Sequence, residues 1–94
     1  MNLRRYDAII WLETVHIRGI PPRTHCAVAV GLRRGECGDT SGMEYTDLTV
    51  SIDDPARHQA AIPEAERILA DAGWRRTGDW KWNGSTLQAP AKRG

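Results

Sequence analysis

Apolar and polar positions alternate with a period of two over most of the first half of the chain, and with the period of a helix over one later stretch. From Tyr6 to Ile17 β-branched and aromatic residues dominate. Apolar side chains there point both ways: Ala8, Ile10 and Leu12 to one face, Ile9, Trp11, Val15 and Ile17 to the other. Such a pattern suits a strand covered on both faces, or one whose second face binds something. Arg18-Gly19-Ile20-Pro21-Pro22-Arg23 interrupts it, because two prolines cannot donate to a ladder; an extended surface connection is expected. A second strand is expected from His25 to Arg34, with Cys26, Val28, Val30 and Leu32 on one face and His25, Ala27, Ala29, Gly31 and Arg33 on the other. A Gly-rich polar loop from Gly35 to about Gly42 leads to a third strand, Tyr45 to Asp53. In it Leu48, Val50 and Ile52 point inward and Asp47, Thr49, Ser51 and Asp53 outward. Loops rather than helices join these strands, which predicts an antiparallel meander.

The period then changes. Ile62, Ala65, Ile68, Leu69 and Ala72 fall on one helical stripe, with Asp54 placed to cap its start and Pro55 at the first helical position. Pro63 predicts a kink or two abutting helices. Gly73 predicts a left-handed stop, with Trp74 folded back onto Leu69. A short strand is expected at Trp74–Thr77 and a hairpin at Asp79–Ala89, turning at Asn83-Gly84 and pairing Trp82 with Ser85 and Trp80 with Leu87. The expected fold is α+β, in the order β-β-β-α-β(-β): a three-stranded antiparallel meander, a kinked helix on one face, and a C-terminal strand or hairpin. It occupies residues 1–89 as one domain, with 90–94 as a flexible tail.

Composition adds limits. A 94-residue chain that is 40% hydrophobic and 27% charged is too apolar for a disordered one. A formal net charge of +1 gives no bulk attraction to nucleic acid or anionic lipid, so any such attraction must come from a local patch. Eleven Arg against two Lys, with no Phe, points to the codon bias of a GC-rich, bacterial-like genome. The apolar run Ala8–Leu12 ends at Glu13, too soon for an export leader, and nothing reaches the length of a membrane span. The expected location is the cytoplasm, with Cys26 and Cys37 as reduced thiols and a disulfide between them as the alternative.

Catalytic signatures are wanting. His16, His25, Cys26, Cys37 and His58 lack metal-ligand spacing, and Cys26 on an apolar strand face reads as a small core residue. Asp79-Trp80-Lys81 matches a short acidic-x-Lys element of metal-dependent nucleases, with Asp53-Asp54 as further carboxylates, but without the expected framework around it. Neither cysteine has a motif-level His partner, and the Gly35–Gly42 loop lacks phosphate-loop spacing. No enzyme, cofactor or metal is therefore expected.

What remains is surface. Trp80 and Trp82 share a strand face, Trp11 stands beside the small Ala27, Ala29 and Gly31, and Arg dyads occur at Arg4-Arg5, Arg33-Arg34 and Arg75-Arg76. The leading expectation is a non-catalytic module that binds a protein partner or a second copy of itself through the sheet edge, the Gly35–Gly42 loop or exposed tryptophans, with Trp82, Trp80 and Trp11 as contact candidates. Nucleic-acid binding by the arginine dyads, Arg33, Arg34, Arg75 and Arg76 foremost, together with an exposed indole is the second reading, and a small enzyme the third. Against it stands the ordinary reading of scattered arginines as solvated charge.

Overall fold

The computed structural model describes residues 5–33, 40–49, 58–84 and 86–94. Among the described residues six strands form one sheet with one helix against it: β1 (Tyr6–Ile17), β2 (Ile20–Leu32), β3 (Met43–Leu48), α1 (His58–Asp71), β4 (Trp74–Arg76), β5 (Lys81–Trp82) and β6 (Leu87–Arg93). The α+β expectation holds. The sheet order is β3-β2-β1-β6-β4, and β5 continues along the edge of β6 that β4 occupies. Every pairing among these strands is antiparallel.

The two-sided pattern of β1 is real. One face carries Ala8, Ile10, Cys26, Val28, Val30, Leu48, Leu87 and Ala91, on which α1 lays Ala61, Ala65 and Leu69. The other face carries a smaller buried strip, Ile9, Trp11, Ala27 and Ala29. Since the helix takes the Ile10 face, the small residues around Ala27 are not its seat. Cys26 is fully buried in the main cluster, as a small apolar side chain. The Cys26–Cys37 question, the Asp54-Pro55 helix start and the strand positions beyond Thr49 lie outside the described residues.

Three sequence expectations change. First, Pro21 and Pro22 lie within β2. Ile17 pairs with Ile20 across Arg18-Gly19, and Val15 pairs with Arg23, so β2 gains one residue over β1 between those points. That bulge accommodates the prolines, and β3 pairs β2 only from Cys26 to Val30, so no described ladder needs their missing N–H. Gly19 turns the corner at φ +84°, where a side chain would be strained.

Second, the C-terminal hairpin turns on four residues. Trp82 pairs with Leu87 and Lys81 with Gln88. The Asn83 Oδ1 accepts from the Thr86 N–H at 2.8 Å, and the Asn83 N–H donates to the Thr86 carbonyl at 3.1 Å. The Asn side chain thus closes a longer loop than the Asn-Gly pair alone implies. The shift is by two residues, so the faces are preserved while Trp80 loses Leu87 as its partner.

Third, residues 90–93 are no tail. They belong to β6, which lies between β1 and β4: Asp7 faces Pro90, Tyr6 faces Ala91, and Trp74 faces Arg93. The Pro90 carbonyl accepts from the Thr77 N–H at 2.8 Å, so the side its missing N–H would face lies past the last β4 pair, Arg76 with Ala91, where no described ladder bond is lost.

The helix runs through the exposed Pro63 as one element and stops at Gly73, φ +86°. Trp74, only 4% exposed, turns onto the core with Leu69. Its ring meets Tyr6 edge-on at 5.0 Å, and the Arg93 guanidinium lies 5.1 Å from its centroid.

Candidate functional site

The tryptophans separate by role. Trp80 is half-buried, in the excursion between β4 and β5, and its indole N–H donates to Glu66 Oε1 at 3.2 Å. The same oxygen accepts from Arg76 Nε at 2.6 Å, and Arg76 also donates to the Gly78 carbonyl at 2.7 Å. Glu66 therefore clamps the 77–80 excursion to α1, and Arg76 is spent on the clamp. Trp11 is 7% exposed. Trp82 is 40% exposed on the helix side of the sheet, opposite Leu87.

The Arg76 hydrogen bond, assisted by Trp80 against the cost of burial, holds the Glu66 carboxyl below its ordinary value of 4.5. Glu64 is lowered likewise, chiefly because the Thr49 hydroxyl and N–H both donate to it. A carboxylate lowered in the folded state stabilises fully above its unfolded value, and that contribution is lost as pH falls through the folded value. Stability should therefore fall as pH drops below about 4.5, and Glu66→Gln should flatten that fall; an unchanged urea-midpoint profile between about pH 5 and pH 3 would remove the clamp from the account.

The opposite face of the sheet carries a different arrangement. Asp7 pairs with Gly31 and Tyr6 with Leu32, and the Arg33 N–H donates to the Arg5 carbonyl at 2.7 Å, so Arg5 and Arg33 are neighbours across β1 and β2. On the other side of β1, Asp7 pairs with Pro90 and Tyr6 with Ala91; one step further sets Arg5 against Lys92. Lys92 in turn pairs with Arg75. Strand alternation then places Arg33, Arg5, Lys92 and Arg75 in one row on one face, across four adjacent strands. At about 4.8 Å between strands the row spans about 14 Å. All four residues are exposed.

Like charges placed directly opposite one another cost stability. Among the described residues the row has one acidic answer, Asp7, whose Oδ1 lies 3.2 Å from Arg33 Nε. Arg5, Lys92 and Arg75 have no described carboxylate within ion-pair distance.

On the same face, beyond the Asp7 level and about 13 Å along the strands from the row, lies the Ile9–Trp11–Ala27–Ala29 strip, bounded on β3 by Tyr45. The Tyr45 ring stands edge-on to Trp11 at 6.2 Å and is 54% exposed. Trp11 thus supports an aromatic that faces solvent. Between the row and β5 an open depression of about 510 Å³ is lined by Asp7, Gly78, Lys81, Gln88 and Pro90. On the β3 side Asp47 approaches His25, with Nε2 to Oδ1 at 2.9 Å but without hydrogen-bond alignment.

Of the residues singled out from sequence, Arg33 and Arg75 meet in the row, Trp11 underlies its neighbouring strip, and Trp80, Trp82 and Arg76 belong to the helix side. Arg34 lies outside the described residues. Lys92 was hidden by reading the C-terminus as a tail. Tyr45 was legible, since its parity with Asp47 puts it on the outward side of β3. Among the described residues no group of three His, Cys, Asp or Glu side chains converges on a metal-sized site. No described helix is long and apolar enough to cross a membrane.

No protein-family model matches the chain, and no curated protein or solved structure shows significant similarity to it.

Proposed function

We propose that the chain is a non-catalytic module that binds single-stranded nucleic acid on the sheet face opposite α1. The observation that carries this reading is the Arg33–Arg5–Lys92–Arg75 row, three of whose four positions have no acidic partner among the described residues. Guanidinium and ammonium groups in a line suit successive backbone phosphates. The exposed Tyr45 ring offers a surface on which an unstacked base can lie, and the depression beside Gln88 and Lys81 has room for a second. An open sheet backed by a helix takes splayed bases more readily than it enters a duplex groove. Asp47 and Glu44 near Tyr45 repel phosphates, so the backbone follows the row and only bases extend toward β3.

The net charge of +1 does not oppose this reading, because phosphate contacts act over a Debye length of about 10 Å rather than through total charge. Three or four phosphate contacts on a single strand give a slope of log affinity against log salt of about −2 to −3. Fluorescence anisotropy with a labelled single-stranded oligonucleotide, titrated across salt concentrations, should return that slope. No binding at low salt, or a slope near zero, would defeat the proposal.

A protein partner, expected from sequence at Trp82, Trp80 and Trp11, has a further exposed apolar pair available elsewhere. Ile17 and Ile20, 56% and 49% exposed, stand opposite each other at the β1–β2 turn.

A further inference from the structure

We infer that the depression between the row and β5 selects a guanine base, with Asp7 at the base's donor edge and Lys81 at its acceptor edge. This rests on the nucleic-acid reading and adds to it a chemical preference at one nucleotide. Register fixes the layout. Asp7 pairs with Pro90 and Lys81 with Gln88, and Pro90 and Gln88 are two apart on β6. All four therefore belong to the sheet face that carries the row. Lys92 continues the same line, so Lys92, Pro90 and Gln88 follow one another along β6 in steps of about 6.8 Å. A nucleotide whose phosphate sits at Lys92 extends its sugar and base over Pro90 and Gln88.

The depression, about 510 Å³, is bounded on its β5 side by the 78–79 backbone. A Cβ on Gly78 would stand 2.9 Å from Pro90 Cγ, so the chain comes this near the proline ring only as glycine. The ring gives a base an apolar floor. Asp7, its side chain 18% exposed, gives one oxygen to Arg33 Nε at 3.2 Å. A carboxylate has about four acceptor positions, so Asp7 retains capacity for a ligand. Gln88 Nε2 donates to Thr86 Oγ1 at 3.3 Å, which leaves the Gln88 carbonyl oxygen as a further acceptor. Asp79, the other carboxylate of the rim, is 97% exposed and lies toward Arg76, 4.0 Å from its Nη1.

Lys81 stands at the opposite flank, two strands and two residues from Asp7, about 12 Å between Cα positions. It is exposed, and among the described residues no carboxylate lies within ion-pair distance of it. Acceptors on one flank and a cation on the other sort the bases. Guanine has two adjacent N–H donors, at N1 and N2, and two adjacent acceptors, O6 and N7. Adenine and cytosine turn a ring acceptor toward a carboxylate beside their one amino group. Thymine and uracil offer it one N–H between two carbonyl oxygens. Two N–H groups on one carboxylate make a charge-assisted pair, the stronger kind of hydrogen bond.

The test is fluorescence anisotropy with a short labelled oligothymidylate carrying one central guanine, hypoxanthine or adenine. Hypoxanthine is guanine without the N2 amino group. The guanine strand should bind roughly tenfold tighter than the other two, with the same salt slope for all three. Asp7→Asn should bring the guanine-to-hypoxanthine ratio close to one. Equal affinities at the slope expected for the row overturn the guanine site and leave the nucleic-acid reading standing. No binding by any strand at low salt defeats that reading and this inference with it. A folded Asp7→Asn that keeps the parent's ratio overturns the role of Asp7. If that variant fails to fold, the hypoxanthine comparison on the parent decides.

Discussion

Leu69→Ala should remove about 3 kcal/mol of stability, the largest loss expected from any single truncation on α1. Leu69 is 1% exposed and is the one large side chain among the three helix residues buried in the core cluster, the others being Ala61 and Ala65. It also meets the sheet where Trp74 folds back after Gly73, so its removal loosens both the helix contact and the helix stop. Domains of this size have about 5–15 kcal/mol in hand, and each kcal/mol moves the midpoint by about 4–8 °C. The melting temperature should therefore fall by about 12–24 °C, with an unchanged urea slope. A loss under about 1 kcal/mol would mean that α1 does not dock through this residue.

Arg75→Glu should separate stability from binding. It exchanges the like-charge pair with Lys92 for an opposite-charge pair across β4 and β6. Cross-strand ion pairs are worth about 0.2–1 kcal/mol, so the variant should melt at or slightly above the parent. Affinity for a single-stranded oligonucleotide should fall roughly tenfold or more at low salt, and the salt slope should lose about 0.7, the share of one phosphate contact. Arg18→Glu makes the same charge change at the exposed hairpin tip, outside the row, and should leave both affinity and slope near the parent's. Equal losses from the two substitutions would show attraction by overall charge. A loss of stability in Arg75→Glu would show that Arg75 serves the fold instead.

The architecture was legible where a period ran long enough to declare a face. β1, the inward side of β2, the Gly73 stop, the burial of Trp74 and the Ala65–Leu69 part of the α1 stripe follow from local rules, whereas Ala72 is exposed and Ala61, off the expected stripe, is fully buried. The departures arise where tertiary pairing overrides such rules. Pro21 and Pro22 are tolerated because a bulge and an edge remove the demand for their donors, a circumstance set by where β3 stops. The Asn83 side chain lengthened a turn that Asn-Gly alone would have closed in two residues. Residues 90–93 looked like a tail because a five-residue polar terminus has no periodicity of its own, and only β1 and β4 on either side make it a strand. The candidate site depended on that last point. The dyads Arg4-Arg5, Arg33-Arg34 and Arg75-Arg76 lie far apart in sequence, yet one member of each reaches the same row, and Lys92 completes it. Topology, not spacing, brought them together. The tryptophans were conspicuous in sequence, but Trp74 and Trp80 hold the helix to the sheet, and the exposed ring on the face of the row is Tyr45.

The most direct test of the row is a two-dimensional NMR titration of the labelled chain with a short single-stranded oligonucleotide at low salt. The account predicts that backbone and side-chain signals of Arg5, Arg33, Arg75, Lys92 and Tyr45 shift together. Those of α1, Trp82 and the Ile17–Ile20 turn should remain in place. Shifts centred on α1 or on the hairpin tip, or none at the row, would contradict it.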